Sequence, residues 1–311
     1  MTESTVFTRR QTLAMAAGLG TAAMLPSFAV RAASGAVLSR PIPKSGEMLP
    51  VIGLGTAIIF DIAGEQAKIA ERTEVIRTLV DGGGKLIDTA PSYGAAEAVL
   101  GGIIGATGLR DRIFLATKVR IASREDTIAE MKRSLAKLQT QKLDLMQLHN
   151  VRDPNQDIGL LREWKAQGIC RYIGITSSFR RDYDALEAVL RREKPDFFQI
   201  NYSLADRESE KRLIPLAADV GAAVLTNLPF GRGRLFRATR GRKLPDWAAD
   251  FDAGSWAQLF LKYLIGNPAV TAVIPGTDKA QYMVDNLNAG RGRMPDAAQR
   301  RRIVELYESF A

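Results

Sequence analysis

"RIFLATKVRIASREDTIAEMKRSLAKLQTQKLDLMQLHN", residues 112–150, contains one complete unit of the architecture. Its first part, 113–119 (IFLATKV), is a nearly unbroken apolar run, short enough for a strand. The middle part, "REDTIAEMKRSLAKL", spaces its apolar residues three and four apart, the period of a helix with one buried face. The last part, 143–149 (LDLMQLH), is apolar again. Such runs do not alternate with polar residues, so both faces are covered, as in parallel strands joined by a crossover helix.

The same alternation fills the chain. Strand-like runs also occur at 51–57 (VIGLGTA), 86–90 (LIDTA), 170–176 (CRYIGIT), 197–203 (FFQINYS), 222–228 (AAVLTNL) and 272–277 (AVIPGT), which makes eight. Helical spacing returns in "EVIRTLVDGGG", "IGLLREWKAQG", "DYDALEAVLRR" and "ESEKRLIPLAADVG". Eight β–α units predict an α/β fold of the closed (β/α)8 TIM-barrel type. The open doubly wound alternative would place G-x-G-x-x-G after the first strand, and none is there. Before that strand, "SRPIPKSGEMLP" has the turn residues of a hairpin that could close the barrel floor.

Composition sets limits. The 311 residues are 46% hydrophobic and 25% charged, as expected of a soluble globular protein. One cysteine, Cys170, excludes a disulfide within the chain, and one histidine, His149, excludes multi-histidine metal chemistry. No metal is expected. Residues 1–35 differ from the rest: Arg9 and Arg10 precede an apolar, Gly/Ala-rich stretch from Leu13 to Val30, with small residues near Ala29–Ala33. This stretch is too short and too weakly apolar for a transmembrane helix, and it resembles a twin-arginine export signal. The expected layout is a signal peptide over 1–35 and a single barrel domain over 36–311. The expected location is periplasmic, with a mature form not inserted in the membrane. Removing residues 1–32 would change the net charge from +9 to +7, still basic and favourable to anionic ligands.

In such barrels the reactive groups gather at the carboxyl ends of the strands. Asp88 ends the second predicted strand, Tyr93 follows in its loop, Lys118 ends the third, and His149 ends the fourth. A phenol ordinarily titrates near ~10, too high to exchange protons efficiently at neutral pH. An ammonium beside it stabilises the phenolate. Lys118 can supply that charge, and Asp88 can hold Lys118 in place. His149 can orient a carbonyl oxygen by a hydrogen bond. The set would protonate an alkoxide forming at a carbonyl carbon. No side chain supplies hydride, so a nicotinamide cofactor is implied.

At these residues the sequence resembles the aldo-keto reductases. "GLGTA", "IDTAPSYG-AAEAVLG", "FLATKV", "LDLMQLHN", "GICRYIGITSSF", "FFQINYS", "LPFGRG" and "VIPGTDKAQYMVDNLNA" carry the likeness, from about residue 37 to residue 290. The resemblance implies a (β/α)8 barrel that reduces carbonyls with NADPH. Tyr93 would be general acid/base, Lys118 and Asp88 its tuning pair, and His149 the substrate-orienting group. It places Gln199 against the nicotinamide carboxamide, with Thr176 and Ser177 where the family commonly has Ser-Asn. Asn227 falls where an aromatic often stacks on the nicotinamide, and Phe230 could take over that stacking. Gly276 and Tyr282 stand where many members have a Lys and an Arg for the 2′-phosphate. Thr277 and Lys279 remain as phosphate contacts, and Asp285 and Asn286 match the adenine side. Gly55, Thr56, Gly231 and Arg232 complete the expected cofactor set. NADPH is the expected cofactor, with NADH as the alternative.

"GRGRLFRATRGRK" (231–243) carries six basic residues and no acid, and reads as a clamp on the cofactor pyrophosphate or as a solvated loop. It lacks the interleaved aromatics of a nucleic-acid surface, so no nucleic-acid partner is expected. Phe60 and Arg120 are expected to wall the substrate pocket; Arg120 would there favour carbonyl substrates bearing an anionic group, its alternative being to point to solvent or to an acid on the next helix such as Glu125 or Asp126. The reading is a monomeric NADPH-dependent reductase of small aldehydes or ketones. Its alternative is a non-catalytic nicotinamide-nucleotide-binding accessory or sensor protein on the same barrel.

Overall fold

The computed structural model describes residues 35–120 and 122–310, so the predicted signal with Arg9 and Arg10 lies outside the described residues. A short antiparallel hairpin comes first, β1 (Ser39–Pro41) with β2 (Met48–Pro50). Eight parallel strands follow in order of sequence: β3 (Leu54–Gly55), β4 (Leu86–Asp88), β5 (Phe114–Val119), β6 (Leu143–His149), β7 (Cys170–Ser177), β8 (Phe197–Asn201), β9 (Ala223–Asn227) and β10 (Val270–Val273). Each pairs with the next, and helices cross between them. The first and last strands meet through the Ile52–Val273 bridge, with Gly53 N donating to Val273 O and Val273 N to Val51 O, both at 2.9 Å. This nearly closes a (β/α)8 barrel. Closure is tight, since a Cβ on Gly55 would lie 2.8 Å from the Ile274 carbonyl oxygen.

All eight predicted strands are present, with local differences at the seam. The run 51–57 forms only β3 and the Ile52 bridge. The last strand is Val270–Val273 rather than 272–277, ending before Pro275, which has no N–H for a ladder. "ESEKRLIPLAADVG" is two helices, Glu208–Lys211 and Leu213–Asp219, broken at Arg212 with Pro215 in the first turn of the second.

Period-2 alternation along the strands builds the interior. Leu86, Phe114, Ala116, Leu145, Tyr172, Phe197, Ala223, Leu225, Ala272 and Ile274 face inward and pack together. Ile42 and Leu49 from the hairpin join them, so "SRPIPKSGEMLP" does plug the floor. The outward residues of the same strands pack with the helices in a second, larger cluster. The helix Arg124–Lys137, for example, starts where Ser123 accepts from Asp126 N, and turns Met131 inward.

Candidate active site

Above the apolar layer the inward positions turn polar. Asp88, Lys118, Gln147, Thr176 and Gln199 are all buried at the carboxyl ends of β4 to β8. Lys118 Nζ donates to Asp88 Oδ2 at 2.6 Å and to Thr89 O at 2.8 Å. Asp88 Oδ1 accepts from Gln147 Nε2 at 3.1 Å and Gln199 Nε2 at 3.0 Å. Three donors on one carboxylate offset the cost of burying the charge.

The phenol and the imidazole stand over this pair. Lys118 Nζ lies 5.0 Å from the Tyr93 ring centroid, and the Tyr93 and His149 rings meet edge to face at 6.1 Å. Burial alone would pull the Lys118 ammonium toward its neutral form. The negative charge of Asp88, then contacts with Asp88 and Tyr93, outweigh it and leave Lys118 above its usual value, so the ammonium is kept. For His149 burial comes first, and Lys118 and Arg120 add repulsion. Its pKa is pushed down to about 3, so the imidazole is neutral near pH 7.

The loop carrying Tyr93 is pinned from the loop that follows β3. The helix Ala96–Thr107 has no side-chain cap of its own, but Ala95 N donates to Asp61 Oδ1 at 2.9 Å. Gly94 sits at φ 60°, where a Cβ would lie 2.3 Å from that carboxylate oxygen, so only glycine fits beside Tyr93. Arg72 ties the two loops at the barrel seam, donating to Ile59 O at 2.9 Å and Asp278 O at 2.6 Å.

A cleft of about 620 Å³ opens above the site. Asp88, Tyr93, Lys118 and His149 line it together with Gly55, Thr56, Thr176, Gln199, Asn227, Phe230, Arg232 and Gly276. Among the described residues, Asn227 Oδ1 is buried there without a partner and Arg232 has no ion pair.

Other predicted residues lie elsewhere. Ser177 Oγ points to Asp182 Oδ2 at 2.5 Å and accepts from Phe179 N, so it serves its own turn rather than the cleft. Phe60 is fully buried in the core between strands and helices and forms no wall of the cleft. Arg120 is taken by the helix Arg124–Lys137: its N and Nη2 donate to Glu130 at 2.7 and 2.9 Å, and its side chain is 63% exposed. The expected acids, Glu125 and Asp126, are not its partners. The anionic-substrate expectation therefore loses its physical basis. Gly231, Thr277, Lys279, Asp285 and Asn286 also stay off the cleft wall. Asp285 accepts from Ser255 Oγ and Gln258 Nε2, and Thr277 and Asn286 are buried.

Gln147, Asn150, Phe179 and Phe236 are not among the residues expected from the sequence. The last three line the cleft. Asn150 carried a signal, since a left-handed residue (φ 61°) directly after a strand is most often Asn or Gly.

Residues 51–308 match the family model described as the Aldo/keto reductase family. The chain belongs to this family. It is 33% identical to the aldo-keto reductase YhdN of Bacillus subtilis over 200 residues, spanning 59% of either chain. To the methylglyoxal reductase YeaE of Escherichia coli it is 29% identical over 242 residues, 75% of this chain and 83% of that one. An aldo-keto reductase from Klebsiella pneumoniae, solved in complex with NADPH, superposes with a TM-score of 0.70 at 28% identity, over 84% of this chain and 92% of that one. Family membership makes this aldo/keto reductase an NAD(P)H-dependent oxidoreductase.

Proposed function

We propose that the protein reduces a small aldehyde or ketone to the alcohol, with NADPH as reductant and Tyr93 as proton donor. The observation that carries this reading is the Asp88–Lys118 pair held 2.6 Å apart under the Tyr93 ring at the floor of an open cleft. When bound, the cofactor supplies the hydride that no side chain can. The residues present suit it. Gln199 and Thr176 offer an amide and a hydroxyl toward a carboxamide, Asn227 Oδ1 awaits a donor, and Arg232 brings a guanidinium to the lip for phosphate.

The chain's own groups then divide the work. His149, neutral, donates a hydrogen bond that turns the carbonyl oxygen toward Tyr93. Tyr93 gives its proton to that oxygen as negative charge develops on it. The Lys118 ammonium supports the phenolate left behind, and Asp88 fixes Lys118. The sidechain set needs no anionic handle on the substrate, in keeping with Arg120 being bound to Glu130. The E. coli relative named a methylglyoxal reductase makes small α-oxoaldehydes the first compounds to try.

Multi-turnover consumption of NADPH with methylglyoxal or a simple aliphatic aldehyde tests the reading. Steady turnover is expected. Tight cofactor binding without turnover would favour the accessory or sensor alternative.

The proposal extends to location. Residues 1–35 are read as a twin-arginine export signal, giving a monomeric periplasmic enzyme. Replacing Arg9 and Arg10 with Lys should leave the full-length precursor in the cytoplasm. An unchanged periplasmic product on fractionation would refute that route.

A further inference from the structure

Gln147 has no part in the roles above, yet it is fully buried at the centre of the site. A carboxylate can only accept, so Gln147 and Gln199 must both turn their NH2 groups toward Asp88 Oδ1. Beyond that shared contact the two amides differ. Gln199 Oε1 accepts from Thr176 Oγ1 at 3.2 Å, whereas Gln147 Oε1 is buried with no partner among the described residues. An unpaired buried oxygen is costly, so a glutamine at this inward position must return something through its NH2 group. Gln199 lines the cleft, and Gln147 does not.

The neighbouring strand makes room for Gln147. It lies in register between Lys118 on β5 and Gly174 on β7. A Cβ at 174 would stand 3.0 Å from Gln147 Cγ and 3.1 Å from Phe197 Cβ. Gly174 has no positive φ, so it is the space that requires glycine there, not the backbone.

We propose that Gln147 is a positioning residue for proton delivery: it holds Asp88 Oδ1 while Gln199 answers to the cofactor, so that Asp88 keeps Lys118 in place through turnover. This rests on the reductase reading of the site. A ligand in the cleft competes for the amide of Gln199, and any turn of that amide toward it weakens the bond to Asp88. The amide of Gln147 is sealed from the cleft and does not move with it. Without it, the charge of Asp88 would bear more fully on Lys118 and oppose phenolate formation on Tyr93.

The test compares wild type with Gln147→Met, which keeps the length but loses the donor, and Gln147→Glu, which puts a carboxylate there instead. NADPH affinity is read by fluorescence, reduction by single-turnover kinetics, and both variants are followed across pH. Gln147→Met should bind NADPH within about twofold of wild type, yet reduce a simple aldehyde at least about tenfold more slowly. The basic limb of its pH–rate profile should move to higher pH, and Gln147→Glu should move it further. If Gln147→Met does not accumulate folded, Gly174→Ala, which displaces the amide without removing it, must show the same signature. Wild-type rates and profile in a folded variant overturn the proposal. So does a parallel loss of cofactor affinity and thermal stability with the pH profile unmoved, the mark of a merely structural role. A wild-type protein with no turnover at all overturns the reductase reading, and this inference with it.

Discussion

The barrel interior has two tiers built on the same strands. The lower one is Leu86, Phe114, Leu145, Tyr172 and Phe197, apolar, with the aromatic rings of Phe114, Tyr172 and Phe197 5.5–5.9 Å apart. Two or four residues further along stand Asp88, Lys118, Gln147, Thr176 and Gln199. The lower tier gains stability by removing apolar surface from water. The upper tier buries a charge pair and two amides, an arrangement that adds little net stability and fails badly if one partner is lost. Fold and chemistry are thus separated by a short step along each strand, and mutations on either side of it should look different.

Lys118→Met should break the upper tier most severely. Reduction should fall by about 10²–10⁴-fold. The buried carboxylate of Asp88, left with only two amide donors, should cost roughly 3–5 kcal/mol in denaturant unfolding unless it takes up a proton. Asp88→Asn should cost the fold less. Full activity in Lys118→Met would dissolve the pairing. Phe197→Ala probes the other tier. It should lose about 3–5 kcal/mol of stability to the cavity, while turnover per folded molecule changes little. An active-site defect as large as its stability defect would show that the tiers are not separable.

The smallest effect is on pH. His149 is held down to about 3, against about 6.5 in the unfolded chain. The unfolded chain therefore takes the proton first. The contribution to stability is complete above about pH 6.5 and is lost as pH falls toward 3. Between pH 6.5 and 5 the loss should be about 1.6 kcal/mol, and His149→Gln should remove that slope. As the only histidine, its imidazole can be followed alone by NMR. A midpoint near 6.5 in the folded protein would contradict its burial.

Much of this was legible in the sequence, for physical reasons. Parallel strands covered on both faces leave apolar runs, and a polar residue ending such a run is conspicuous, as with Asp88, Lys118 and His149. Gln147 was not conspicuous. Inside "LDLMQLH" it reads as a flaw in an apolar strand, and only the register to Lys118 and Gly174 brings it to Asp88. Arg120 illustrates the reverse. Its place at a strand end suggested a ligand, but a helix returning over β5 brings Glu130 onto it, a pairing that depends on how the helix docks. Phe60 and Ser177 failed alike. Nothing local tells a loop Phe that fills the core, or a hydroxyl that satisfies Asp182, from one that faces the cleft.

The central claim is that Tyr93 delivers the proton and that the fold and the cofactor site do not depend on its doing so. Tyr93→Phe keeps the ring beside His149 and removes only the hydroxyl. Single-turnover reduction of an aldehyde by NADPH-loaded protein, read alongside NADPH affinity by fluorescence titration, tests it most directly. The expected result is unchanged affinity with reduction slowed by about 10²–10⁴-fold or more. Near-normal reduction by the Phe variant would take Tyr93, and the arrangement beneath it, out of the mechanism.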